Sequence, residues 1–166
     1  WVAASDYSED LKLDYSILEQ HAESYRKIRN TFRFLLGNLR DKKIDFDLNA
    51  NEIEKWPELE RFMLHQLFLL NENFEKYFKE YNFHKLYKVL LNFCSLDLSA
   101  FYFDIRKDTL YCDEIKSPKR QICINLLDII LSMLLKWFAP ILSFTTEEIF
   151  QIVNQAKNTS IHLQKF

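Results

Sequence analysis

One glycine, Gly37, stands among 166 residues, and its isolation excludes more than any other feature of the chain. Phosphate-cradling loops, dinucleotide fingerprints and nucleophile elbows each need several glycines where backbone takes positive φ or approaches a ligand closely. None of them can be built here. Cysteine is nearly as scarce: Cys94, Cys112 and Cys123 show neither C-x-x-C spacing nor a neighbouring His pair, so neither a zinc site nor a disulfide framework is expected. Reduced thiols of a cytoplasmic protein are the simplest account of them. His21, His65, His84 and His162 lack the Glu-x-x-His pairing of a metal centre in a bundle, so neither a metal site nor a catalytic residue is indicated. The apolar stretch 124–142 is interrupted by Asn125, Asp128, Ser132 and Lys136 about every four residues. That rhythm marks a wet helix face, so no membrane partner is expected.

What the chain does contain is core material and charge together: 48% hydrophobic residues, 15 Phe, 8 Tyr and 28% charged residues, with a net charge of −2. This is the composition of a soluble helical domain built on rings. The first residue is Trp1, with no initiator or leader, so a segment of something larger is expected.

Spacing predicts an all-α bundle of about five helices over 16–156, preceded by a junction, 1–15, and followed by an extended tail, 157–166. Ser16 and Glu19 form a capping box, and Leu18, Ala22, Tyr25, Ile28, Phe32, Leu35 and Leu39 continue as a bundle seam. Residues 40–55 lose the period and read as a loop. A second helix starts around Pro57, its first turn made acidic by Glu58 and Glu60, and turns Leu59, Met63, Leu67, Leu70, Phe74, Tyr77 and Tyr81 inward. A third follows Asn82 and includes "NFCSLDLSAFYFDIRKDTLYC", 92–112. A fourth opens at Ser117–Pro118 and ends near Pro140, and a fifth opens on the box Thr145–Glu148 and runs to about Ala156. Short extended pieces are expected only at Trp1–Ala4 and Ser160–Phe166.

Two charge patterns bear on function. Arg26, Lys27, Arg29 and Arg33 lie on the first helix without an intervening acid, each arginine one residue after a seam position, so a basic ridge is expected along the flank of the buried stripe. With Asn30, and with Arg40, Lys42 and Lys43 beyond, it suits a phosphate backbone; arginines that neutralise aspartates in the bundle are the alternative. A second, weaker group is Lys116, Lys119 and Arg120. The acids Asp97, Asp104 and Asp108 share one helix face; Asp97, four residues after Phe93, falls on the apolar side and is expected to be a buried structural acid paired with Arg29 or Arg33.

"YRKIRNTFRFLLGNL" (25–39), "NFCSLDLSAFYFDIRKDTLYC" (92–112) and "WFAPILSFTTEEIF" (137–150) resemble the anticodon-binding helical domain of class I isoleucyl-tRNA synthetases, and "WVAASDYSEDLKL" (1–13) resembles the passage from their catalytic half. The resemblance runs almost end to end. It implies contact with the anticodon stem-loop of tRNA(Ile) and with the catalytic domain of the same polypeptide, no DNA, and a cytoplasmic protein. The HIGH and KMSKS signatures are absent from this stretch, so it is expected to be non-catalytic alone, within a parent that joins isoleucine to tRNA with ATP and magnesium and carries zinc nearer its C-terminus. The family motif RIRNT-x-RF falls on Lys27, Ile28, Arg29, Asn30, Thr31, Phe32, Arg33 and Phe34, with Lys27 keeping the charge but not the fork of the usual Arg. The expected RNA contacts are thus Arg26, Lys27, Arg29, Asn30 and Arg33, with Lys119 and Arg120 secondary, and no cofactor bound by this segment. The competing account is a helical protein-interaction scaffold without RNA binding.

Overall fold

The computed structural model describes residues 1–39, 53–154 and 159–164. The expected loop 40–55 therefore lies largely outside the described residues, as do Arg40, Lys42, Lys43 and Ala156. Helices dominate, and no strand occurs among the described residues. The segments expected to be extended at either end form 3₁₀ turns instead, Val2–Ala4 and Ile161–Leu163.

Helix α1 spans Tyr15–Leu39. Asp14, not Ser16, opens it: the Asp14 carbonyl accepts from the Leu18 amide at 3.1 Å, and its carboxylate accepts from the Tyr15 amide at 2.6 Å. A carboxylate is the stronger acceptor for exposed amides, and the Ser16 hydroxyl donates to it at 3.0 Å rather than capping the helix itself. Only the second half of the expected seam is buried, through Ile28, Thr31, Phe32 and Leu35, while Leu18 and Ala22 are exposed.

Helix α2, Glu58–Lys79, buries Glu60, Met63, Leu67, Leu70 and Phe74 at spacings of three and four. It ends where Tyr81 takes φ 55°, with the Asn82 amide donating to the Tyr77 carbonyl at 2.8 Å. That is the left-handed C-terminal cap in which glycine is usual, and a tyrosine there costs roughly 1–2 kcal/mol.

Helices α3 (Phe83–Asn92) and α4 (Phe103–Cys112) are the ends of one continuous helix, joined by a π-helix over Phe93–Tyr102. Backbone angles at the joints are right-handed helical throughout: φ −63° and ψ −45° at Asn92, φ −66° and ψ −38° at Phe103. Most π segments are single-turn bulges, so ten residues is long. The wider turns of the π segment rotate the downstream half away from where an uninterrupted α-helix would place it.

This geometry corrects the expectation for Asp97. At α-helical spacing it would follow Phe93 inward. In the π stretch Leu98 takes that place and is fully buried, with Phe93, Cys94 and Tyr102, whereas Asp97 is exposed and forms no ion pair among the described residues. Partial desolvation still holds its carboxyl above the usual range. Asp104 and Asp108 are exposed as expected, and Lys107 meets Asp104 at 2.8 Å.

Helix α5, Pro118–Phe138, is long and apolar enough to cross a membrane by length and composition, but 56% of its most apolar window is buried within the protein, as in a core helix. Its deepest residues are Cys123, Leu126, Leu127, Ile130, Leu134, Trp137 and Phe138, while Ile122, Ile129 and Met133 are only half-buried. Helix α6 runs Ser143–Val153 and begins before the expected box at Thr145; the Thr146 hydroxyl turns back on the Leu142 carbonyl at 3.1 Å.

The chain divides into two compact units, Trp1–Leu127 and Asp128–Phe166. In the first, the central helix packs against α1, α2 and the N-terminal turn. In the second, α6 receives the closing 3₁₀ turn: the Glu147 carboxylate accepts from the Ser160 hydroxyl at 2.7 Å and the Ile161 amide at 3.0 Å.

Candidate nucleic-acid interface

Burial of Ile28, Phe32 and Leu35 fixes the rotation of α1, and that rotation decides what its charges face. Arg26, Asn30, Arg33 and Gly37 recur four, three and four residues apart, with Arg29 beside them, and all five are exposed. On a helix wheel Arg26, Asn30, Arg33 and Gly37 stand opposite the buried stripe, while Arg29 lies along its flank as expected. Among the described residues nothing lies within 4 Å of the position a Cβ on Gly37 would take.

Their pairing differs. Arg26 forms an ion pair with Glu23 one turn earlier on the exposed surface. Lys27, Arg29 and Arg33 form no ion pair among the described residues, so the alternative in which these arginines neutralise buried aspartates is not what the fold uses. The opposite face holds the helix in place: the Thr31 hydroxyl lies 3.2 Å from the Lys27 carbonyl and 3.4 Å from the Cys94 carbonyl of the π segment. Tyr87 of α3 lies beside Ser24. A rigidly seated helix thus presents two free guanidinium forks and a carboxamide, donors matched to phosphate oxygens and base edges.

The second basic group is weaker than expected. Lys119 is exposed, but Arg120 is half-buried and donates through Nη1 to the Asp113 carbonyl at 2.5 Å, closing the turn between α4 and α5. Its Nε is buried without a hydrogen-bond partner. A guanidinium folded against its own loop is not displayed to a ligand, so Lys119 alone of that pair faces solvent.

The ion pair expected at Asp97 exists elsewhere. Glu60, fully buried in the first turn of α2, accepts from Arg106 at both oxygens, 2.6 Å from Nε and 2.9 Å from Nη2. The Tyr102 hydroxyl donates to the same carboxylate at 3.2 Å and the Cys123 thiol at 3.4 Å. Bonding to Glu60 raises Arg106 further, desolvation pushes the Tyr102 hydroxyl above its ordinary range, and burial pushes the Cys123 thiol up to about 12. A thiol so protonated is inert, and the carboxylate, phenol and thiol of the cluster are closed to solvent, so it serves to join α2, α4 and α5. The sequence carries one signal of it: Glu60 precedes Met63, Leu67 and Leu70 on their own apolar stripe. Among the described residues no group of three His, Cys, Asp or Glu side chains is placed to hold a metal.

An all-helical unit whose first helix offers unpaired arginines to solvent, in a chain of net charge −2, has the form of a module that grips nucleic acid locally rather than by long-range attraction. The chain belongs to the family of anticodon-binding domains of tRNA ligases, whose model matches residues 60–166. Along its whole length, including α1, it is 64% identical to the isoleucine–tRNA ligase of Pelagibacter ubique, 41% to that of Bradyrhizobium diazoefficiens and 40% to that of Geobacter sulfurreducens. It spans 18%, 16% and 18% of those proteins, less than a fifth of their length.

Proposed function

We propose that this chain is the tRNA-holding module of an isoleucine–tRNA ligase, and that the exposed face of α1 is where it meets the anticodon stem-loop of tRNA(Ile). The observation that carries this reading is the pair of unpaired, solvent-facing guanidinium groups of Arg29 and Arg33 flanking Asn30. Phosphate contacts by Arg29, Arg33 and Lys27 orient the RNA, Arg26 joins once it leaves Glu23, and Asn30 reads a base edge or a 2′-hydroxyl. Lys119 provides a lesser contact, and Arg120 shapes the loop beside it. The parent joins isoleucine to tRNA with ATP and magnesium in the cytoplasm, and the chemistry lies outside this chain. Its zinc also lies elsewhere: Cys94 and Cys123 are buried, their thiols pushed up to about 12 by burial, and Cys112 is exposed apart from them, so these residues do not fit a metal. Family membership does not favour the scaffold alternative.

The test is Arg29→Ala/Arg33→Ala in the full-length ligase, with tRNA affinity measured against salt. The expected outcome is weaker binding and a salt slope reduced by about 2, since each arginine removed leaves about one phosphate unneutralised. An affinity and slope both unchanged, with a normal thermal melt, would remove α1 from the interface.

A further inference from the structure

The central helix of the first unit has two obligations. Its upstream half supports α1, through the Cys94 carbonyl that faces Thr31 at 3.4 Å and through Tyr87 beside Ser24. Its downstream half carries Tyr102 and Arg106 to Glu60. Both are met in the π register, and α-helical turns throughout residues 93–102 would rotate one half against the other.

Asp97 and Leu98 are the residues that exchange places between the two registers. In the observed one Leu98 is fully buried and Asp97 exposed. In an α register continued from Leu90 and Phe93, Asp97 enters the core. Among the described residues no cation is placed to receive it, since Arg106 is committed to Glu60 and Arg29 and Arg33 of α1 are exposed to solvent. An unpaired carboxylate in an apolar site is strongly disfavoured, so that register is closed. The Ser99 hydroxyl adds a bond that suits the wide turn, donating at 2.8 Å to the Cys94 carbonyl five residues back.

We propose that Asp97 is a positioning residue whose carboxylate excludes the α register of residues 93–102, and thereby sets how α1 and its basic face are held and how Arg106 reaches Glu60. The consequence for RNA rests on the function proposed above; the choice of register does not.

Asp97→Leu and Asp97→Asn in the full-length protein test it. Alkylation of Cys123 by iodoacetamide is followed peptide by peptide by mass spectrometry, with the exposed Cys112 as internal reference, alongside tRNA affinity. Leucine opens the α register, so Cys123 alkylation rises at least tenfold relative to Cys112 while the melt stays cooperative, and tRNA binding weakens several-fold. Asparagine is still kept out of the core and leaves both within twofold of the unsubstituted protein. Cys123 protection unchanged in Asp97→Leu, or equal effects of Leu and Asn, overturns the proposal. Raised alkylation with unchanged tRNA affinity keeps the register claim and overturns the RNA-binding role of α1. Should Asp97→Leu fail to fold, Asp97→Ala removes the charge without adding apolar bulk, and a threefold rise at Cys123 then decides.

Discussion

Arginines of the same unit meet opposite fates. Arg106 has a side chain 11% exposed and holds both oxygens of a fully buried carboxylate, whereas Arg29 and Arg33 stand in solvent with no ion pair among the described residues. One guanidinium completes the fold, and the other two leave their forks unspent. The difference shows that charge content alone cannot separate binding residues from structural ones; helix phase and the presence of an acid on a neighbouring buried stripe do so. Removing each kind breaks the comparison most directly. Arg106→Ala strands Glu60 in the core and is expected to destabilise the protein by about 3–5 kcal/mol, the usual cost of leaving a buried charge unpaired. Arg33→Ala is expected to stay within about 0.5 kcal/mol, as surface substitutions do. Thermal or urea unfolding of the two variants side by side checks this, and equal losses would mean that Arg33 is also structural.

Next in size is the choice between Asp97 and Leu98. Leu98→Ala deletes a fully buried side chain and is expected to cost about 2–5 kcal/mol. The same truncation at exposed Asp97 is expected to cost less than about 1 kcal/mol, its effect appearing in register rather than stability. A urea melt that ranked Asp97→Ala as the more damaging would restore the buried-acid expectation.

That pair also marks where the sequence stops being legible. Amphipathic spacing locates every long helix among the described residues and the stripe Met63–Leu67–Leu70–Phe74, because an α-helix repeats every 3.6 residues and its buried face is written in that period. Residues 93–102 follow a different period, and applying 3.6 to them turns Asp97 inward. Nothing in their composition announces a π-helix; the buried positions it creates, Leu98 and Tyr102, belong to the packed unit rather than to the segment's own period. Glu60 escapes notice for a related reason. An acid in the first turn of a helix is a favourable end charge, and that local account hides its place on the apolar stripe. On α1 type and spacing pick out the basic residues, but their face is off by part of a turn if the seam is taken to reach Leu18 and Ala22, which are exposed. Arg120 passes for an RNA-binding residue because its partner is a backbone carbonyl, Asp113, which no side-chain pattern reveals.

The smallest expected effect concerns a second pair, the carboxylates of Glu60 and Glu147. Glu60 is closed to solvent, while Glu147 works at the surface of the second unit, gathering Gln151, Ser160 and Ile161 and so tying the closing turn to α6. The hydrogen bond from Gln151 first, then that from Ser160, holds the Glu147 carboxyl below its ordinary value of 4.5. A carboxylate whose folded value is depressed contributes stability that is present above the unfolded value and lost as pH falls through the folded one. The tie is therefore intact at neutral pH and fades only below about pH 4.5. Amide hydrogen exchange at Ile161–Leu163, corrected for intrinsic rates, is expected to accelerate a few-fold between pH 5 and pH 3. In Glu147→Gln, which cannot ionise, the same amides exchange faster at neutral pH and show no such step. A step of equal size in both proteins would place the acid sensitivity on another group, and Glu147 would then be no more than a surface acid beside the turn.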